Sequence, residues 1–129
     1  MLSNFDAPYV LEFELPSLPP MTNRASGASN HWRHIHAERK RWRETVATIA
    51  RVRRPSSPLE RAKLTLTRCS SVCPDADGLV SGFKPIVDGL VDGGVLRDDK
   101  LRTTGMPDYR WESAPKGLGK VRIRVEAVA

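Results

Sequence analysis

The 129-residue sequence predicts a small α/β (α+β) domain, a mixed sheet of about four strands with two helices in the order β-α-β-α-β-β. Three observations predict it. Apolar and polar residues alternate with period two near both ends of the chain and again about its midpoint. Two longer stretches carry apolar residues at helical spacing. Proline and glycine clusters separate these stretches, and none is long enough to divide residues 1–129 into two domains.

Each element follows from its own pattern. In residues 9–15, Tyr9, Leu11, Phe13 and Leu15 share one face while Glu12 and Glu14 take the other, the signature of a half-buried strand. Pro16, Pro19 and Pro20 end it, because proline cannot donate to a ladder. Residues 21–30 are small and polar and read as a loop. A helix is expected from about His34 to Arg53, with Trp42, Val46 and Ile49 toward the core and Arg39, Lys40, Arg43 and Arg51 largely off that stripe. After a turn at Pro55-Ser-Ser-Pro58, residues 62–69 set Ala62, Leu64 and Leu66 against Lys63, Thr65 and Thr67 in a second strand.

The second helix is built on Leu79, Phe83, Ile86, Val87, Leu90 and Val91. Ser81 is its expected cap, which places Pro85 in the first turn, where backbone donors lack partners anyway. Gly93-Gly94 ends it. A third strand is expected within 100–112, and a fourth follows from Val121, Ile123, Val125 and Ala127 alternating with Arg122, Arg124 and Glu126. The expected packing is two helices on one sheet with an antiparallel terminal pair.

Composition excludes several classes. Hydrophobic residues at 40% and charged residues at 28% match globular usage and exclude wholesale disorder. No apolar run approaches the roughly 18 residues of a membrane span. Asp6, with no basic stretch before an apolar one, argues against a secretory signal, so a cytoplasmic location is expected. Cys69 and Cys73, four apart, fit neither a redox pair nor a zinc site and read as two reduced thiols.

The net charge of +6 points to a polyanionic partner, and its distribution is uneven. Residues 24–54 hold nine Arg and Lys against Glu38 and Glu44. Residues 75–99 reverse the sign: Asp75, Asp77, Asp88, Asp92, Asp98 and Asp99 face only Lys84 and Arg97. Residues 100–126 return to a surplus of four positive charges. An acidic island in a basic protein is what a metal-dependent enzyme acting on nucleic acid needs. It is equally what six solvated acids on a helix and loop look like.

Within the island, Asp75-Ala-Asp77 lies between the second strand and the second helix. If that segment is extended, both carboxylates point the same way and can approach one hard divalent cation, with Asp98-Asp99 folding back as a third source of ligands. A calcium loop is excluded, because no Glu stands at its twelfth position. Lys84 supplies a cation suited to stabilising a phosphoryl transition state, or else an i,i+4 pair with Asp88. His31-Trp32-Arg33-His34-Ile35-His36 interleaves rings with a base and reads first as a nucleic-acid surface.

In combination these segments resemble the RusA-type Holliday-junction resolvases, small endodeoxyribonucleases of phages and prophages. The likeness runs over nearly the whole chain. Leu18-Pro19-Pro20-Met21-Thr22-Asn23-Arg24 is similar to the family's proline-proline-x-x-asparagine-arginine segment. Asp75-Ala-Asp77, Lys84-Pro-Ile-Val-Asp88-Gly-Leu90 and Gly93-Gly-Val-Leu-Arg-Asp98-Asp99 then follow in the family's order within 25 residues. The chain departs from the family in having Gly78 where many members have asparagine, Pro74 where some have a basic residue, and Leu79-Val-Ser-Gly82 as extra spacing before Lys84.

The resemblance implies that Asp75, Asp77 and Asp99 bind magnesium (or manganese) and act in catalysis with Lys84. It implies DNA contacts from Asn23 and Arg24, to which the charge pattern adds Arg33, Arg39, Lys40 and Arg43. It also implies a homodimer that nicks four-way junctions by metal-assisted phosphodiester hydrolysis. Two other functions fit the same residues: a non-catalytic structure-selective DNA-binding protein, and a less specific flap or single-strand nuclease.

Overall fold

The computed structural model describes residues 8–21 and 29–128. Four strands and three helices follow one another as β1 (Val10–Leu15), α1 (Ser29–Arg53), β2 (Ala62–Ser70), α2 (Ala76–Asp92), α3 (Leu101–Thr104), β3 (Asp108–Ser113) and β4 (Lys120–Ala127). The expected β-α-β-α-β-β order stands, with the four-residue α3 added before β3.

The strands form one mixed sheet in the order β1-β4-β2-β3. β4 lies between β1 and β2 and is antiparallel to both, with Phe13 opposite Ile123 and Ile123 opposite Leu66. β3 pairs with β2 in parallel, Leu66 opposite Tyr109 and Arg68 opposite Trp111. The expected antiparallel terminal pair is therefore not formed. β4 takes an inner place, where Val121, Ile123 and Val125 are fully buried, and β3, none of whose residues is buried, is left at the edge.

One face of the sheet carries the core. Leu11, Leu64, Leu66, Val121, Ile123 and Val125 meet Trp42, Val46 and Ala50 of α1 and Phe83, Ile86 and Leu90 of α2. The other face is a lattice of charges. Arg122 pairs with Glu14 and Glu112, Arg124 with Glu12 and Glu126, and Arg110 with Asp108. Much of the positive surplus of the C-terminal third is thus neutralised locally.

The two long helices pack closely because α2 presents glycines to α1. A Cβ at Gly89 would stand 2.7 Å from the Arg43 carbonyl oxygen, and one at Gly93 would stand 2.5 Å from the Ala50 Cβ. α1 begins at Ser29, five residues before the expected His34. Among the described residues no helix is long and apolar enough to cross a membrane.

The start of α2 also differs from expectation. Asp75, not Ser81, is the N-cap: its backbone is extended (φ −78°, ψ 168°) and its side chain accepts from the Gly78 N–H. An aspartate in that geometry satisfies one of the unpaired donors of a first turn, and this moves the helix start six residues upstream. Pro85 consequently lies well inside the helix rather than in its first turn.

Candidate functional site

Asp75 and Asp77 are placed by the cap and first turn of α2 and not by an extended strand. The Oδ1 of Asp75 accepts from the Gly78 backbone nitrogen at 2.7 Å. Asp77 stands in the first turn, where a carboxylate also interacts favourably with the helix dipole. The expected common direction of the two side chains rested on extended backbone, and only Asp75 has it. Both residues are exposed.

Two turns further along α2 comes Lys84. Seven residues advance a helix by about 10.5 Å and return to within roughly 20° of the same direction, so Asp77 and Lys84 share one side of α2. Lys84 Nζ donates to Asp88 Oδ1 at 3.0 Å and to Asp99 Oδ2 at 2.5 Å. The hydrogen bond that Lys84 donates to Asp99 is the main reason that the Lys84 pKa is raised, and the same bond holds the Asp99 carboxyl below its ordinary range. At neutral pH Lys84 is a fixed cation and not a base.

The fold-back that places Asp99 is specific. α2 closes on Gly93, and Gly94 takes a positive φ of 87°, which favours glycine. Val95 and Leu96 are then buried, and Leu59 bridges to Leu96, donating to the Val95 carbonyl and accepting from the Arg97 nitrogen. The chain leaves this anchor with Asp98 and Asp99 turned differently. Asp98 Oδ1 accepts from the Lys100 backbone nitrogen at 3.0 Å and from Thr103 Oγ1 at 2.7 Å, fixing the start of α3. Asp99 is the one that reaches Lys84, a distinction that sequence alone left open.

Clefts open on either side of Lys84. One, of about 520 Å³, lies between α1 and α2 and is lined by Arg39, Lys40, Arg43, Lys84 and Asp88 among others. The second, of about 530 Å³, runs from α2 to α3 and β3 and includes Ser81, Asp99 and Tyr109. Arg39 and Lys84 line both. Burial pushes the Tyr109 pKa up, and its ring packs on Phe83 at a centroid distance of 6.1 Å.

The basic residues of α1 divide into engaged and available groups. Arg43 donates to Asp92 through Nε (2.6 Å) and Nη2 (3.0 Å). Arg39 donates to the Pro20 carbonyl at 3.0 Å and to the Ser81 carbonyl at 2.8 Å. The second bond has a clear origin: Pro85 has no N–H, so the carbonyl four residues earlier, that of Ser81, is left without its helical partner. Arg39 fills the gap, and its burial against α2 lowers its pKa. Arg39, expected off the packed stripe, is therefore a structural tie. Arg33 and Lys40 are exposed, and among the described residues no side chain pairs with either. Asn23 and Arg24 lie outside the described residues. Trp32, also exposed, stacks on His36 with ring centroids 5.0 Å apart. Cys69 and Cys73 are both free, the former buried.

Among the described residues no three His, Cys, Asp or Glu side chains converge closely enough to hold one metal ion by themselves. The chemistry of Asp75, Asp77 and Asp99 nevertheless suits a hard divalent cation, since all are carboxylates and magnesium usually takes only one or two from protein. No protein-family model matches this sequence, and no curated protein matches it.

Sequence reasoning overlooked Arg68, Tyr109 and the bond from Arg39 to the Ser81 carbonyl that Pro85 leaves open. Two of these had a signal. Period two puts Arg68 on the face of Leu64 and Leu66, and a proline inside a helix always orphans the carbonyl four residues before it.

Proposed function

We propose that this chain is a divalent-metal-dependent endodeoxyribonuclease acting on branched DNA, four-way junctions above all. The observation that carries the reading is the Lys84–Asp99 contact at 2.5 Å. It joins the K-x-x-x-D and G-x-L-x-D-D segments, 15 residues apart in sequence, on the side of α2 whose first turn bears Asp77. Asp75, Asp77 and Asp99 would hold magnesium or manganese, which when bound activates a water and polarises the phosphodiester.

The chain's own residues do the rest. Lys84, kept protonated by Asp88 and Asp99, stabilises negative charge that builds on phosphate oxygens. Asp88 positions Lys84, since it also lies 3.8 Å from Arg43 and is thereby fixed between both helices. Arg33 and Lys40 hold DNA by its phosphates, adding affinity without sequence information. A two-fold homodimer would present two such sites to opposed strands, and the cytoplasm is the compartment where such an enzyme meets its substrate.

The alternative with an observation in its favour is a non-catalytic DNA-binding protein, because the three carboxylates are not gathered into one ligand set. A synthetic four-way junction and a linear duplex of the same sequence, each with magnesium and with chelator, separate the two. Paired, magnesium-dependent nicks confined to the junction support the nuclease. Binding without nicking under every metal condition overturns it in favour of the alternative.

A further inference from the structure

Arg68 occupies a place in β2 where the pattern calls for an apolar residue. Leu64 and Leu66, on the same face, are fully buried, yet the next member of that row is a guanidinium. It lies between α2 and the segment leading into α1. A Cβ built on Gly82 would be 3.5 Å from Met21 Cγ, 3.9 Å from Arg68 Nη1 and 4.0 Å from Pro19 Cγ.

Its partners are few. Nη1 donates to the Pro19 carbonyl oxygen at 3.0 Å. Nε is enclosed and has no hydrogen-bond partner among the described residues. Burial alone lowers its pKa, with no carboxylate acting on it. Arg43, Arg97, Arg110, Arg122 and Arg124 all have acidic partners, and Arg39 has two carbonyls. Arg68 has neither arrangement.

Even a half-buried charge is costly to keep without a counter-charge. A guanidinium carries five N–H donors in a planar fork that matches a phosphate diester, and the protein uses one of them here. Tying Pro19 would need only a neutral donor. We propose that Arg68 anchors a backbone phosphate of the bound DNA strand, at the seam between β2, α2 and Pro19–Met21. The inference rests on the nucleic-acid reading above. Gly82 stands five residues beyond Asp77, about 7.5 Å along the helix and about 140° around its axis, so the anchored phosphate lies away from the side of α2 that bears Asp77 and Lys84.

The test uses the full chain, its Arg68→Met and Arg68→Lys variants, and a labelled four-way junction in magnesium-free buffer over a series of salt concentrations. Arg68→Met is expected to weaken binding on the order of tenfold. It should also reduce the slope of log affinity against log salt by about 0.9, the loss of one phosphate contact. Arg68→Lys should keep the slope and lose part of the affinity, because the charge remains and the fork does not. In the unaltered protein the Arg68 Nε–Hε NMR signal should shift when junction DNA is added, a readout that survives even if a variant fails to fold. An unchanged slope in both variants, or an unmoved Nε–Hε signal, overturns the anchor and leaves Arg68 as a tie for Pro19. Junctions that are bound with the slope change but never cut leave the anchor standing and sink the nuclease. Cutting with no slope change sinks the anchor alone, and no binding to DNA sinks both.

Discussion

Alanine at Gly89 and alanine at Gly82 are the same chemical change on the same helix, and the structure assigns them opposite signs. Both gain the helix propensity of alanine over glycine, about 1 kcal/mol in a helix interior. At Gly82 the new methyl meets Met21, Arg68 and Pro19 at 3.5, 3.9 and 4.0 Å, ordinary contact distances, so the gain survives. At Gly89 it meets the Arg43 carbonyl oxygen at 2.7 Å and Val46 Cβ and Cγ1 at 2.8 and 2.9 Å. The first of these is α1 backbone, and Val46 is fully buried with χ1 restricted by its branching. Neither can yield without moving the helices apart. Overpacking of this kind costs about 1–3 kcal/mol, and the backbone contact places this site in the upper half of that range. Net of propensity, Gly89→Ala should destabilise by about 1–2 kcal/mol while Gly82→Ala stabilises by up to about 1. The two variants then differ by about 2–3 kcal/mol, or on the order of 10 °C in Tm for a domain of this size. Urea melts of both, with equal m-values, measure it. A Gly89→Ala protein as stable as Gly82→Ala would refute the helix–helix packing described here, and with it the placement of Arg39 and Arg43 beside Lys84.

Other consequences are as specific. Asp75→Asn keeps a good N-cap and should leave stability within a few tenths of a kcal/mol, whereas Asp75→Ala should cost about 1 kcal/mol; under the nuclease reading both abolish magnesium-dependent nicking while junction binding persists, so nicking by Asp75→Asn would remove Asp75 from the ligand set. The Lys84–Asp99 pair should make stability depend on pH at both extremes. Asp99, with its pKa depressed, contributes above the ordinary aspartate range and loses that contribution as pH falls through its lowered value. Lys84, with its pKa raised, contributes up to the ordinary lysine range and loses it as pH rises through the elevated value. With side chains 54% and 41% exposed, the effect stays below about 1 kcal/mol, and Asp99→Asn should flatten both limbs in pH-resolved urea melts. Arg39→Met should destabilise by about 2 kcal/mol, since it leaves the Ser81 and Pro20 carbonyls without their donor. Lys40→Ala should change stability by under about 0.5 kcal/mol but weaken junction binding and lower its salt slope, the reverse pattern, and equal behaviour of the two variants would contradict the division of α1 into engaged and available bases.

Local pattern carried the elements well. Alternation at Leu64 and Leu66 and at Val121, Ile123 and Val125 marked strands whose apolar residues are indeed fully buried, because period two is a property of the backbone itself. The stripe Phe83, Ile86, Val87 and Leu90 marked the buried side of α2 for the same kind of reason. Where the pattern failed, a competing local interaction had the stronger claim. The Asp75 carboxylate captured the Gly78 N–H and started α2 early, which put Pro85 mid-helix and converted the D-x-D segment from strand to helix cap.

The candidate site was legible in part. Composition and spacing singled out Asp75, Asp77, Lys84 and the Asp98-Asp99 pair as residues able to carry phosphodiester chemistry, since the identity and order of charged groups are written in the chain. Only the resemblance implied Asp99 over Asp98. Which charges meet is a different matter. The choice of Asp99 over Asp98 as the partner of Lys84 depends on the Leu59–Leu96 bridge, a contact between residues 37 apart. Arg39 and Arg43 looked like free surface bases until α2 supplied an orphaned carbonyl and Asp92. The order β1-β4-β2-β3, which buries β4 and exposes β3, likewise follows from which apolar faces can be covered at once. Sequence determines local periodicity and the stock of charges, because both act over one or two turns of chain. Tertiary structure decides which charges are neutralised and which stay available, because that depends on through-space distances that only the packed sheet and helices define.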